Sequence, residues 1–326
     1  MTKNIAILWG GDSSEYVISE KSAQEIFKFL KKTEFIPYRI RVRKGEWSYI
    51  PEKGDEIKLD LNDLSLELKK DTKIFFDYAF IIIHGTPGED GKMQAILDSH
   101  KIPYNTGGVL SSALSFNKHA CKVFLKNLDI LAPEGVLIRK GNEIDVEKIK
   151  NKTGLPCFVK PNSGGSSFGI SKVSNFGDLM PAITHALHED SEVIIESHIE
   201  GLELSCGLVK TKSEVLIFPV TEIVPLNEFF DFESKYEKGM SEEITPARID
   251  DSIRIKCQNI ASDIYDHLNC KGIVRIDFIL RGAELFFLEL NSIPGMSQES
   301  IVPKQIRSLN LNIEGLLLKI IKDDLS

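Results

Sequence analysis

No pair among the five cysteines (Cys121, Cys157, Cys206, Cys257 and Cys270) has the CxxC spacing, and the count is odd. A disulfide framework or a thiol metal site is therefore not indicated, and free thiols in a reducing cytosol are expected. No apolar run approaches the roughly 20 residues needed to cross a bilayer. Met1-Thr2-Lys3-Asn4 leads straight into a short strand, without the apolar region of a signal peptide. A cytoplasmic location follows. Positive charge is in deficit, with a net charge of -8, which argues against a nucleic-acid or anionic-membrane surface. Any anionic substrate must be held by a few local cations. The chain has neither the GK[ST] of a Walker A loop nor GxGxxG after its first strand, where Gly10-Gly11-Asp12-Ser13 stands instead. Low-complexity tracts and internal repeats are also lacking.

What is present is the composition of a globular enzyme, 42% apolar and 27% charged. At 326 residues, two or three packed lobes are expected. Periodicity divides the chain into three α/β lobes, with cuts near residues 106 and 197. In the first, Ile5–Leu8 reads as a buried parallel strand. Ala23, Ile26, Phe27 and Leu30 mark a helix, and Ala79–Ile83 a second buried strand. A short helix follows at Met93, Ile96 and Leu97, before Ile102-Pro103-Tyr104-Asn105-Thr106-Gly107-Gly108 breaks the pattern. This is a half-sized doubly wound unit. Its ligand edge is expected at the carboxyl ends of the strands, where Gly10–Glu15 and His84–Gly91 lie. The middle lobe has a helix at 117–128, strands at 157–160, 169–173 and 193–196, and a helix through Leu179, Ile183 and Leu187. The last has strands at 202–209 and 215–224, a polar stretch from Pro225 to Pro246, a helix through Ile253–Leu268, two strands and a C-terminal helix.

Four segments carry chemistry. Phe158-Val-Lys160 ends a strand and opens into Pro161-Asn-Ser-Gly-Gly-Ser-Ser-Phe-Gly169. Glycines there let backbone N–H groups approach phosphate oxygens, and Lys160 adds a point charge. Alone, an ordinary flexible hairpin fits as well. Glu196-Ser-His-Ile199-Glu200-Gly201-Leu-Glu203 places carboxylates around an edge peptide able to read an adenine amine and a ribose diol, although solvated charges at a turn suffice to explain it. The strongest signal is the pair Ile273–Leu280 and Leu285–Asn291, read as a hairpin. With a three-residue loop Gly282-Ala283-Glu284, Asp277 lies opposite Glu289 and Arg275 opposite Asn291. Two carboxylates that close repel unless a cation lies between them, and oxygen ligands beside a triphosphate favour Mg²⁺. A charged, solvent-facing sheet surface is the alternative. The turn after Asn291 carries Gly295, whose N–H can serve an oxyanion. Last, His84-Gly85-Thr86-Pro87-Gly88-Glu89-Asp90-Gly91 is a glycine-dense loop after a buried strand, where a lone histidine is as easily structural.

Together, Gly10–Glu15, His84–Gly91, Lys160–Gly169, Glu196–Glu203, Lys235-Tyr236, Arg275-Ile-Asp277 and Glu289–Met296 resemble the D-alanine–D-alanine ligases of the ATP-grasp superfamily, in family order over nearly the whole chain. The resemblance implies a three-lobed ATP-grasp fold: a domain of residues 1–106 before the grasp, a central subdomain 107–196 and a C-terminal subdomain 197–326. It implies that two D-alanines are joined with ATP through a D-alanyl phosphate, for peptidoglycan precursor synthesis. Lys118 and Lys160 would hold the ATP phosphates under the glycine loop with Ser167. Glu196, Ile199 and Glu203 would contact adenine and ribose. Asp277, Glu289 and Asn291 would bind two Mg²⁺ ions, or Mn²⁺ in their place. Glu15, with Ser166 and Tyr236 in a hydrogen-bonded triad, and His84 would hold the first amino acid. Arg275 and the Gly295 N–H would face the oxyanion, and Ser300 with Lys235 would anchor the second carboxylate. Lys235 and Tyr236 lie in the stretch that family members fold over the site as a mobile loop. A homodimer is implied as well.

Family members with tyrosine at the position of Tyr236 make the dipeptide, and those accepting D-lactate usually carry histidine. A histidine cationic near neutral pH repels an ammonium, whereas tyrosine, with an ordinary pKa of ~10, stays neutral. Tyr236→His is expected to shift product from D-alanyl-D-alanine towards D-alanyl-D-lactate, most clearly below pH 7. Competition between D-alanine and D-lactate, with products separated by chromatography, reads this; efficient ester formation by the unmodified chain would refute it.

Overall fold

The computed structural model describes residues 2–13, 15–69, 72–164, 169–225 and 241–326. Ser166, Ser167, Lys235 and Tyr236 lie outside them, as do residues 226–240 of the polar stretch.

Three sheets carry the architecture. In the first, the apolar strand Asn4–Gly10 pairs in parallel with Ile36–Arg43 on one side and Tyr78–Ile81 on the other. Helix Tyr16–Leu30 makes the crossover between the first two and buries Ala23, Ile26 and Leu30, the residues spaced to do so. Antiparallel strands Glu46–Tyr49 and Ile57–Lys58 extend the far edge. The expected half-unit is present, with an extension that its short, charge-interrupted strands had hidden.

The segment after helix Lys92–Ser99 reads as a break, yet it edges the same sheet. Ala79 N–H donates to Pro103 O at 2.9 Å. The Asn105 side chain then acts as a peptide group: its Oδ1 accepts from Ile81 N–H at 2.6 Å and its Nδ2 donates to Ile81 O at 3.1 Å. The strand that delivers His84 is thereby fixed at its carboxyl end.

The second sheet is wholly antiparallel, in the order Ser171–Val173, Cys157–Pro161, Glu192–Ser197, Gly135–Arg139. Ile149 and Ile183, from the helices Val146–Thr153 and Leu179–Ala186, pack with Val159, Val193 and Ile195 beneath it. The third sheet centres on Leu202–Lys210, flanked by Thr221–Pro225 and by the hairpin Val274–Arg281 and Glu284–Asn291. Helix Asp251–His267 covers it with Cys257, Ala261 and Ile264. Cys121 and Leu125 of helix Lys118–Lys126 join this core, so that helix packs with the third sheet although it precedes the second in sequence.

The expected C-terminal helix is two, Ile301–Ser308 and Ile313–Leu325. Both pack into the core of the first sheet through Ile306, Leu317 and Ile321. Tyr78 donates to Asp324 at 2.7 Å, closing first sheet onto last helix.

Asn105→Ala leaves the N–H and C=O of Ile81 without these partners. The expected loss is roughly 2–3 kcal/mol, read by denaturant unfolding; a loss below about 0.5 kcal/mol would mean that the edge does not depend on this side chain.

Candidate active site

The cations come from two elements. In the second sheet, Lys160 stands opposite Ile194 and Phe158 opposite Glu196, so Lys160 and Glu196 are diagonal neighbours on one face. Lys118 and Lys122 lie one helical turn apart on helix Lys118–Lys126, and both are buried. That helix starts at the base of the glycine loop. Asn117 Oδ1 caps it by accepting from Ala120 N–H at 2.9 Å, Lys118 N–H donates to Asn162 O at 3.0 Å, and His119 N–H to Asn162 Oδ1 at 2.9 Å. Lys118 Nζ reaches the Gly164 carbonyl at 2.5 Å and lies 3.6 Å from Glu289 Oε2.

Glu196 is 1% exposed and gripped between two ammonium groups, Lys122 and, at 2.5 Å, Lys160. Burial works to raise its pKa, but the two lysines outweigh it and hold the carboxylate at about 2. Burial brings Lys122 down to about 8 despite Glu196, while Lys160 is raised because its carboxylate neighbours prevail.

A cavity of about 350 Å³ opens beside these charges, between the second and third sheets. Phe158, Ile170, Ile199, Ile279 and Leu288 supply apolar walls, and Glu196 and Glu203 polar ones. The hairpin closes one side. Its register puts Asp277 opposite Glu289 and Arg275 opposite Asn291. That is the expected register, reached by another route: the turn is Gly282-Ala283, two residues, and a bulge next to Asp277/Phe278 supplies the offset assigned to a longer loop. Arg275 grips Asp277 with two nitrogens, Nε to Oδ1 at 3.0 Å and Nη2 to Oδ2 at 2.8 Å. Ser205 Oγ adds a bond to Oδ1 at 2.7 Å, and Asn291 Nδ2 one to Oδ2 at 3.1 Å. Asp277, Glu289 and Asn291 thus put oxygen donors on one face of one hairpin. The described residues contain no set of three His, Cys, Asp or Glu fit to hold an ion alone. Two carboxylates and an amide suit a hard cation that takes its remaining ligands from phosphate and water.

The other expected residues come from loops. Ser13 Oγ donates to the His84 carbonyl at 2.8 Å, and Asp12 N–H to Thr86 O at 3.1 Å, which holds the loop carrying Glu15 against the loop carrying His84. Gly85 and Gly88 are required there. A Cβ on Gly85 would meet Ser13 at 2.9 Å, and one on Gly88 would meet the Ile83 carbonyl at 2.1 Å. His84 is 5% exposed, and its Nε2 has no hydrogen-bond partner among the described residues. Burial holds the imidazole below its ordinary pKa, against the pull of Glu15. A cavity of about 550 Å³ lies between these loops and the glycine loop, with Glu15, Thr86, Asn117 and Gly164 in its wall. Gly295 backs onto Ser300, where a Cβ would come 2.8 Å from the Ser300 hydroxyl. Ser300 is the N-cap of helix Ile301–Ser308, and its Oγ is 2.8 Å from Ser297 Oγ.

Sequence reading missed three contributors. Lys122 had a signal, its spacing of four from Lys118. Glu89 stood inside the glycine-dense loop already singled out, but its partners Ser292 and Ile293 are distant in sequence, as is Asp277 from Ser205, which had no signal. Glu89 is 9% exposed, and burial, then the Glu15 charge, push its carboxyl up to about 7.

Two family models match the chain, described as D-ala D-ala ligase N-terminus over residues 4–107 and D-ala D-ala ligase C-terminus over 124–322. The chain belongs to the D-alanine–D-alanine ligase family. Relatives carrying that name in Bacteroides fragilis and Azobacteroides pseudotrichonymphae are 43% identical over 324 residues, with 99% of each chain covered, and 45% identical over 322 residues, with 98% and 99% covered. Two solved ligases superpose over nearly the whole chain. The VanG D-Ala:D-Ser ligase of Enterococcus faecalis gives a TM-score of 0.88 at 31% identity, covering 99% of both chains. D-alanyl-alanine synthetase A of Vibrio cholerae gives 0.89 at 28%, covering 99% and 98%. The fold is accordingly the three-lobed ATP-grasp architecture with its N-terminal doubly wound half-domain.

Replacing Glu196 by glutamine would leave two buried ammonium groups facing a neutral amide. Thermal unfolding is expected to show a loss of roughly 3–5 kcal/mol, relieved by added pyrophosphate. A variant as stable as the unmodified protein would mean that Lys122 and Lys160 are not held by this carboxylate.

Proposed function

We propose that this ligase joins two D-alanines, with ATP, through a D-alanyl phosphate, and supplies peptidoglycan precursor synthesis. The observation that carries the reading is the hairpin face bearing Arg275, Asp277, Glu289 and Asn291, set beside a cleft charged by Lys118, Lys122 and Lys160. The names of relatives at 43–45% identity over the full length support D-alanine at both positions. A D-alanine–D-alanine ligase of Bacillus anthracis has been solved with ATP, which supports nucleotide at this cleft. The chain is proposed to act as a cytoplasmic homodimer with lobes of residues 1–106, 107–196 and 197–326. Among the described residues, no helix is long and apolar enough to cross a membrane.

A carboxylate is a poor electrophile. One oxygen of the first D-alanine takes the γ-phosphoryl group and ADP leaves, giving an acyl phosphate with a good leaving group. The amine of the second D-alanine attacks the carbonyl carbon, forms a tetrahedral oxyanion, loses a proton and expels phosphate. Lys118 and Lys160 stabilise the phosphate charges, and Glu196, which also pairs with Lys122, keeps Lys160 in place. Ile199 and the carboxylates of Glu196 and Glu203 would receive adenine and ribose, while Phe158, Ile279 and Leu288 exclude water. Asp277, Glu289 and Asn291 would hold Mg²⁺, two ions with nucleotide bound; when bound, the metal neutralises charge on the transferring phosphoryl group. Arg275, fixed in plane by Asp277, and the Gly295 N–H stabilise the oxyanion. Glu15 takes the first ammonium. His84 Nε2, buried and without a hydrogen-bond partner among the described residues, is the group to which a bound amino acid would supply one. Ser300 would anchor the second carboxylate together with Lys235, and Ser166, Ser167 and Tyr236 complete the set.

Coupled ADP release with D-alanine as sole amino acid, and D-alanyl-D-alanine recovered by chromatography, is the expected result. Glu289→Gln is expected to abolish turnover with the fold intact, and near-normal turnover by that variant at millimolar Mg²⁺ would remove the two-carboxylate metal site.

A further inference from the structure

We infer that Glu89 is a positioning residue that ties the loop holding the first amino acid to the loop supplying the oxyanion N–H. The inference rests on the function proposed above. Glu89 belongs to the loop after strand Tyr78–Ile81 and has no side-chain role in the reaction described above. Its carboxylate bridges two parts of the chain some two hundred residues apart. Oε2 accepts from Gly85 N–H at 2.8 Å, beside His84. Oε1 accepts from Ser292 Oγ at 3.2 Å and from Ile293 N–H at 3.3 Å, between Asn291 and Gly295.

A buried carboxylate is costly unless its lone pairs are used, and here three donors from two loops use them. Neither loop can move against the other without breaking charge-assisted bonds. On one side the latch sets His84, and through Ser13 the approach to Glu15; on the other it sets the backbone that runs to Gly295 and Ser300. A reacting carbonyl must lie between these two groups, and small misplacements there cost large factors in rate. Burial first, and then the Glu15 charge, oppose ionisation of Glu89, while Glu15 and Arg275 act in opposite senses on the neighbouring His84.

The experiment compares full-length enzyme with Glu89→Gln, Ser292→Ala and the double variant. It measures kcat, the two Michaelis constants for D-alanine and that for ATP, with thermal unfolding of each protein. Each single variant is expected to raise the first-site D-alanine constant by about tenfold and lower kcat, and to change the ATP constant by less than about twofold. The double variant should be no worse than the more damaged single, since both cut one link. Ser292→Ala carries the test by itself if Glu89→Gln does not fold. Unchanged first-site constants, an equal rise in the ATP constant, or multiplicative effects in the double variant would overturn the inference while leaving the ligase reading intact. An unmodified enzyme that releases no ADP with D-alanine would remove that reading and this inference with it.

Discussion

A site built to receive a triphosphate must keep several ammonium groups together when no phosphate is near, and do so out of water, where their repulsion is least screened. Glu196 solves this. Its carboxylate sits between Lys122 and Lys160 with almost no exposure, and stays ionised because two cations offset its desolvation. The rest of the cleft depends on that arrangement. The diagonal pairing of Lys160 and Glu196 needs the antiparallel register of the second sheet, and Lys122 reaches them only because helix Lys118–Lys126 is stapled to Asn162. Since that helix also buries Cys121 and Leu125 in the third sheet's core, the charge cluster joins the two sheets that face each other across the cleft.

The substrate side is assembled differently, from loop ends and few charges. The loops after Asn4–Gly10 and Tyr78–Ile81 touch where only glycine fits, and Asn105 fixes the strand that feeds them. They meet the third sheet's hairpin through Glu89. The helix at whose N-terminus Ser300 stands is held by Gln305, whose amide donates to Ser205 O at 2.9 Å and Thr221 Oγ1 at 3.0 Å and accepts from Gly207 N–H at 3.1 Å. Ser205 in turn bonds Asp277. Metal-face carboxylate, oxyanion loop and last helices therefore share one continuous polar frame, backed by an apolar core common to the first sheet and the C-terminal helices.

By itself the sequence determined the parts whose physics is local. Buried strands show as short apolar runs, and helices as Ala23, Ile26, Leu30 or Cys257, Ile264 at the right spacing. Alternation along 274–280 and 285–291 was enough to put Arg275 with Asp277 and Glu289 with Asn291 on one face, and ordered motifs were enough to indicate the family. Pairing between the two strands was also anticipated, although the turn is shorter and a bulge makes up the difference. Strands that escaped notice include Glu46–Tyr49 and Ile57–Lys58, too brief to show a period, and the internal strand Ile36–Arg43, where arginines alternate with the apolar residues and break the continuous run. Tertiary structure alone decided which distant groups share a charge or a hydrogen bond: Glu196 as counter-ion to two lysines, Glu89 spanning to Ser292 and Ile293, Asn105 standing in for a strand, helix Lys118–Lys126 packing with a sheet beyond its neighbour. The reason is physical. Periodicity records which side of an element is dry, whereas the partner of a buried polar group is fixed only when separate elements close on each other and exclude the water that would otherwise satisfy it.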